Sequence, residues 1–489
     1  MIGLYTAAEI RAAEERVLAE TPEGALMQRA ATGLATVGAR LLGTVYGRGV
    51  VLLVGSGNNG GDTLFAGARL AARGARVTSL LLDPRRAHPD GLAALRRAGG
   101  RSVVAADREP ELIGRAELVL DGILGIGGTG GLRPEAAELA AEAEAGAAIT
   151  VAVDVPSGVD ASTGAVEGAA FAAMHTVTFG AVKVGLVVGE GRSRAGHVHL
   201  VDIGLGPHLP PPTGGQLTDA DVADRLRPPS PDDDKYSQGV VGIVAGSATY
   251  PGAAVLCTGA ALRTRPGLVR YVGRAADGVR AAWPEAIVTE GRPRDAGRVQ
   301  SWVVGPGMGT DDDAHSLLAE VLATDLPVIV DADGLTMLAR EPALVRDRRA
   351  PTVLTPHDRE FARFGEDVGP DRVGAARRLA ADLGCVVLLK GDATVVADAA
   401  GKVFVNGTGT PWLATAGTGD VLSGITGALL ATGMDAADAA AVAAHLHGRT
   451  GQLAAERGPL LAGDLVRRLP EAIGRLRGVP TRRLGHSEP

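Results

Sequence analysis

Two stretches of this chain combine the residue types that phosphate and proton chemistry require. From Thr415 the sequence reads Thr415-Ala416-Gly417-Thr418-Gly419 and then presents a carboxylate, Asp420. Residues this small let successive backbone N–H groups converge on an anion, and a helix beginning near Asp420 would add the positive end of its dipole. In that setting Asp420 is either a helix N-cap or a general base. The second stretch, Gly55-Ser56-Gly57-Asn58-Asn59-Gly60-Gly61-Asp62, follows the apolar run Val50–Val54 and precedes a helical pattern. Strand, glycine loop and helix is an order used for nucleotides, although this spacing differs from the dinucleotide fingerprint. Two adjacent asparagines are costly in a tight loop unless their amides bind something or hold the turn.

Two further glycine-rich strings start on acidic residues at the ends of apolar runs. One begins at Asp121 and continues Gly122-Ile123-Leu124-Gly125-Ile126-Gly127-Gly128-Thr129-Gly130-Gly131; the other is Asp154-Val155-Pro156-Ser157-Gly158. Either aspartate alone could be a turn former. Asn and Ser oxygens beside a carboxylate and carbonyls are hard ligands, suited to a group I or II cation rather than zinc. In the second half, Gly305-Pro306-Gly307, Asp331-Ala332-Asp333-Gly334, His357 and Lys390-Gly391-Asp392-Ala393-Thr394 also follow short apolar runs. His445 and His447 face different sides of an alanine-rich helix and read as structural.

The elements that must position these loops alternate apolar strands and helical segments, which predicts parallel sheets covered on both faces, with functional loops beyond the carboxyl ends of the strands. Expected strands include Val77–Leu82, Leu118–Asp121, Ile149–Asp154, Val240–Ala245 and Val386–Leu389, after helices over 7–42. A length of 489 residues suggests at least two domains, and the segment 207–215, with its Pro210-Pro211-Pro212-Thr213-Gly214-Gly215 core, is the best boundary. The three aspartates of 228–234 read as a solvated turn.

Composition narrows the class. Aromatic residues make up 3% and the formal charge is −7, which disfavours a base-stacking surface or a broad cationic field for nucleic acid. Seventy glycines point to tight turns and closely packed helices. Cys257 and Cys385 lie in apolar segments as buried thiols, which fits a reducing cytoplasm. The uncharged run 238–262 is broken by Gly246-Ser247-Ala248-Thr249-Tyr250-Pro251-Gly252, so no membrane span is expected.

The loop Gly55–Asp62, with Asp121–Gly131 and Asp154–Gly158, closely resembles the NAD(P)HX epimerase domain of the YjeF N-terminal family. The second half, through Gly305-Pro306-Gly307, His357, Lys390–Thr394 and Gly417–Asp420, resembles the ADP-dependent NAD(P)HX dehydratases. Together they resemble the bifunctional NAD(P)H-hydrate repair family across nearly the whole chain. The resemblance implies two three-layer α/β/α domains, a Rossmann-like epimerase domain at 1–213 and a ribokinase-like dehydratase domain at 217–480. It places hydrated cofactor, NADHX or NADPHX, on Asn58, Asn59, Gly60, Gly61, Asp62, on Gly125, Ile126, Gly127, Gly128, Thr129, Gly130, Gly131, and on Asp154. Potassium falls to Asn59, Asp121 and Ser157.

In the second domain the resemblance puts hydrated cofactor at Ala253, Gly307, His357 and Asp420, and the adenine nucleotide, ADP with Mg2+, at Lys390, Gly391, Asp392, Ala393, Thr394 and Gly419. Glu360 falls where ribokinase-like relatives keep a glutamate in their magnesium network. Asp420 and Asp154 are the catalytic candidates. A homo-oligomer located in the cytoplasm is expected. Local departures are Thr63 and Ala416, where glycine is common, and Arg359. The rival readings are a ribokinase-like kinase of a small alcohol, and an enzyme whose first domain is a noncatalytic binding module.

Overall fold

The computed structural model describes residues 1–264 and 267–478, so the last two positions of the 217–480 segment lie outside the described residues. The chain forms two compact units, residues 3–214 and the residues from 215 onward together with 1–2.

The first unit contains β1 (Ile2–Tyr5), β2 (Gly49–Val54), β3 (Arg76–Leu81), β4 (Arg101–Val104), β5 (Leu118–Gly122), β6 (Ile149–Val153), β7 (His175–Phe179), β8 (Val182–Lys183) and β9 (His197–Val201). Seven of these make one sheet in the order β4-β3-β2-β5-β6-β7-β9. Every pairing in it is parallel. The strand centres are buried on both faces, as in Val50–Val54 and Leu118–Gly122. That burial is why they read as continuous apolar runs rather than alternating ones. Strand order reverses at β2, with β3 on one side and β5 on the other, which opens a crevice beyond their carboxyl ends.

Glycine is demanded at that crevice. A Cβ on Gly55 would stand 1.9 Å from the Ile123 carbonyl oxygen. Gly55→Ala is therefore expected to displace the loop after β5 and to cost about 1–3 kcal/mol, read as a lowered midpoint in calorimetry. A variant that melts like the wild type would show that the two loops need not touch.

The second unit adds β10 (Gly214–Gln216), β11 (Val240–Val244), β12 (Leu268–Val272), β13 (Ile287–Thr289), β14 (Ser301–Val304), β15 (Val328–Val330), β16 (Thr352–Leu354), β17 (Val386–Leu389), β18 (Val395–Ala397) and β19 (Val403–Val405). Its strands run in the order β13-β12-β11-β14-β15-β16-β17-β18-β19. Pairings are parallel through β17, while β18 and β19 are antiparallel additions. The residues 207–215, expected to be wholly connector, end in β10, where Gly215 pairs with Phe404.

Helices Pro251–Thr264, Thr418–Leu430, Ala436–Ala455 and Ala462–Leu476 pack together on this sheet. Their small residues permit close approach: a Cβ on Gly424 would lie 2.3 Å from the Cys257 carbonyl oxygen. Both cysteines are buried free thiols. Among the described residues no helix is long and apolar enough to cross a membrane.

Candidate active sites of the two units

In the first unit, the asparagine string is only half a loop. The helix Asn58–Ala72 starts inside it, so Asn58 to Asp62 form its opening turns rather than the tight loop expected from sequence. Asn58, Asn59 and Asp62 line one cleft of about 1050 Å³ together with Gly125, Ile126, Gly127, Gly128 and Asp154. Gly60 and Gly61 are buried in the same helical turn. Thr129, Gly130 and Gly131 continue the loop beyond this lining, with Gly130 in the left-handed region at φ 72°. Glu14, Arg11 and His88 also line the cleft and were not singled out in the sequence.

Of the three proposed potassium ligands, Asn59 and Ser157 meet Leu124, and Asp121 meets Ser157. The Asn59 amide donates to the Leu124 carbonyl at 2.9 Å, and the Leu124 N–H donates to Ser157 Oγ at 2.8 Å. Ser157 donates its hydroxyl to Asp121 Oδ1 at 2.6 Å and its backbone N–H to Oδ2 at 2.9 Å. Burial pushes Asp121 up to about 6 against the lowering effect of these hydrogen bonds. A fully buried carboxyl within an all-oxygen donor set fits a hard monovalent cation, which would favour its charged form. Among the described residues no group of three His, Cys, Asp or Glu side chains is arranged to hold a metal ion.

Asp154 carries a left-handed backbone at φ 68°, rare for a non-glycine residue. Its Oδ1 accepts from Lys183 Nζ at 2.5 Å, the Phe179 N–H at 3.1 Å and the Thr178 hydroxyl at 3.3 Å. Lys183 is 1% exposed and also donates to the Phe179 carbonyl at 2.8 Å. Sequence reasoning missed Lys183. The available signal was a single lysine inside the apolar segment after β7, Ala181-Val182-Lys183-Val184-Gly185-Leu186, where an exposed charge has no place.

In the second unit, Asp420 is not an N-cap. The helix runs Thr418–Leu430, its cap is Gly417 at φ 87° with no side-chain capping bond, and Asp420 is the third helical residue. Burial first, then the Asp331 carboxylate, pushes Asp420 up to about 7, with Lys390 opposing. Asp331, read in sequence only as a strand end, is the hub of the site. It is fully buried and accepts from Lys390 Nζ at 2.9 Å and from the Ser423 hydroxyl at 2.7 Å. Burial works against its charge, but Lys390 and these hydrogen bonds hold it below the usual carboxylate range. Lys390 is raised despite its own burial, by Asp331 and Glu360.

Lys390 also lies 3.5 Å from Glu360, whose carboxylate accepts from the His357 N–H at 2.9 Å. His357 caps the short helix Asp358–Phe361, accepting from the Glu360 N–H through Nδ1 at 3.2 Å. A Cβ on Gly419 would stand 3.7 Å from Lys390 Nζ, so the start of the Asp420 helix abuts the lysine. Ala253 and Gly307 are neighbours, since a Cβ on Gly307 would meet the Ala253 Cβ at 2.8 Å. Within the β17–β18 turn Gly391 and Asp392 are exposed, Ala393 is buried and Thr394 is half-buried. Ala332, between Asp331 and Asp333, is strained at φ 50°.

The two histidines of helix Ala436–Ala455 divide as their spacing predicts. His445 Nε2 meets Asp219 at 2.7 Å, while His447 Nε2 lies 3.0 Å from the Thr418 carbonyl. Burial pushes His447 down to about 4. A carbonyl only accepts, so neutral His447 donates to it and pins the first turn of the Asp420 helix. The aspartates of 228–234 form the expected turn, with Asp233 paired to Arg227 at 2.8 Å.

A doubly wound parallel unit joined to a mixed-sheet unit, each with acidic residues gathered beyond its strand ends, defines a two-site α/β enzyme. Residues 23–185 match the family model described as YjeF-related protein N-terminus, and residues 241–473 the one described as NAD(P)H-hydrate dehydratase. The chain is 53% identical over 442 residues to the bifunctional NAD(P)H-hydrate repair enzyme of Mycobacterium tuberculosis, covering 89% of this chain and 91% of that protein. It is 51% identical over 479 residues to its counterpart in Mycobacterium leprae, covering 97% and 98%. A ribokinase-like superfamily protein from Enterococcus faecalis aligns with a TM-score of 0.50 at 25% identity, covering 55% of this chain and 98% of that one. The chain belongs to the bifunctional NAD(P)H-hydrate repair enzyme family, with a Rossmann-like first unit and a ribokinase-like second unit.

Proposed function

We propose that this enzyme restores hydrated NADH and NADPH. In this reading residues 1–213 interconvert the R and S hydrates, and residues 217–480 dehydrate the S form with ADP, releasing AMP and phosphate. The observation that carries it is Asp420, a largely buried carboxyl pushed up to about 7, set in a helix that opens with Gly417, Thr418 and Gly419 beside Lys390.

Hydroxide is a poor leaving group from C6 of the reduced ring. Asp420 takes the C6 hydroxyl proton as that oxygen attacks the terminal phosphorus of ADP, and the bond to AMP breaks. The N–H groups at the helix start, with Lys390, stabilise the charge that develops on the transferring phosphoryl oxygens. The C6–O bond then breaks with its electrons leaving on phosphate, N1 donates its lone pair to C6, and loss of a C5 proton restores the ring double bond. Lys390, Gly391, Asp392, Ala393, Thr394 and Gly419 serve the nucleotide; Ala253, Gly307 and His357 serve the hydrated cofactor.

Glu360 would help hold Mg2+ brought in with the nucleotide, which would neutralise phosphate charge. The assignment of ADP rather than ATP rests on family likeness. In the first unit Asp154 is the acid/base group at C6, held by Lys183. Asn59, Asp121 and Ser157 would hold potassium, whose positive charge would order the adjoining glycine loops around the dinucleotide. A homo-oligomer in the cytoplasm remains part of this reading.

The test against the kinase alternative is the product. Hydrated NADH supplied with ADP is expected to give NADH, AMP and inorganic phosphate in equal amounts. Accumulation of a stable phosphoester would make this a kinase.

A further inference from the structure

Asp62 is left without a partner by the first unit's fold. It lies in the helix Asn58–Ala72, is 9% exposed, and lines the same cleft as Asp154. No described residue gives its carboxyl a hydrogen bond or an ion pair, and everything acting on it disfavours its charge. Asp154 is built the opposite way, with three donors on Oδ1, one of them the buried Lys183 ammonium. Two carboxyls in one cleft, one ion-paired and one bare, have the environments that divide acid from base.

We propose that Asp62 is the general acid of epimerisation, delivering the proton with which the C6 hydroxyl departs, while ion-paired Asp154 is the base. The proposal rests on the epimerase reading of the first unit and deepens it. C6 carries both the hydroxyl and the ring nitrogen, so its C–O bond breaks when the oxygen is protonated. The Asp62 O–H bond gives its proton to that oxygen, the C6–O electrons leave with water, and the N1 lone pair forms an N1–C6 double bond. The cation is planar at C6 and has lost its handedness.

Water then adds to the other face. Its oxygen bonds C6, the double-bond pair returns to N1, and its surplus proton goes to Oδ2 of Asp154, the oxygen free of the three donors. Transfer of that proton to Asp62 through cleft water resets the site, so no oxidant, reductant or co-reactant is consumed. The charged groups facing Asp62 are Asp154 and Glu14, and Glu14 in turn faces Lys183 and Arg11. Burial first, then both carboxylates, raise Asp62 well above the ordinary carboxylate range, which favours its protonated form.

The experiment uses the full chain with potassium and separated S-NADHX, without ADP so that dehydration is silent, and follows R-NADHX by chromatography. Wild-type interconversion at only the uncatalysed rate would defeat the epimerase reading itself, leaving no reaction for Asp62 to serve. With an active wild type, Asp62→Asn is expected to lower kcat by about 100-fold or more with KM within about threefold. The wild-type rate should fall at high pH, where Asp62 loses its proton, and that limb should vanish in Asp62→Asn. Asp62→Glu should restore much of the rate with a displaced limb. Dehydration of S-NADHX with ADP should stay at the wild-type rate in both variants, reporting an intact chain. Epimerisation by Asp62→Asn within about threefold of wild type, or a loss confined to KM, overturns the proposal. Should Asp62→Asn fail to fold, an Asp62→Glu variant whose high-pH limb is unmoved overturns it equally.

Discussion

Asp420→Asn is expected to lower ADP-dependent dehydration of S-NADHX by about 100- to 10,000-fold while leaving epimerisation untouched. The substitution keeps the shape of the side chain and removes its capacity to take a proton. The pH dependence of the wild type carries the same signature. Burial, with Asp331 adding to it, pushes Asp420 up to about 7, so the base is ionised above that value and protonated below it. Dehydration measured as kcat/KM should fall toward acid pH, reaching about a tenth of its plateau near pH 6. Asp420→Asn should retain a low rate without that limb. Wild-type dehydration that is flat from pH 8 to about 5.5 would show that no group of this kind gates the step.

The second large effect concerns Lys183. Its ammonium is buried against Asp154, Thr178 and the Phe179 carbonyl. Removing one member of a buried pair strands the other charge, at a cost of about 3–5 kcal/mol. Lys183→Met should therefore lower the first calorimetric transition by several degrees and abolish epimerisation. In the double variant Lys183→Met/Asp154→Asn, which removes both charges, much of the stability should return and epimerisation should not. If Lys183→Met alone melts like wild type, the pair is not holding the loop after β6.

The contrast between Lys183 and Asp420 explains what could be read from sequence. Asp420 announced itself because its neighbours are local: small residues precede it and a helical pattern follows. The parallel sheets were legible for a similar reason, since strands buried on both faces leave unbroken apolar runs such as Val50–Val54. Lys183 and Asp331 acquire their meaning from partners 29 and 59 residues away, Asp154 and Lys390. No spacing rule connects them.

The short strands β18 and β19, three residues each, were missed because their pairing comes from one another and from β17 rather than from pattern. Asn58 was placed in the loop rather than in the helix for a related reason. Glycines end or begin helices equally well, and only the backbone angle at Gly417 and the extended conformation at Gly57 decide where the turn starts. Asp62 was grouped with its loop as a contact residue, since nothing local reveals that a carboxyl will be buried with no partner.

Two sites in one chain act in series on one damaged cofactor. The decisive measurement gives the intact enzyme an equal mixture of R- and S-NADHX with ADP and potassium, and follows both epimers, NADH, AMP and phosphate by chromatography. Both epimers are expected to disappear completely, AMP to match total NADH, and Asp154→Ala to consume the S form quickly while the R form lags at its uncatalysed rate. Equal consumption of both epimers by Asp154→Ala, or NADH formed without AMP, would contradict action in series.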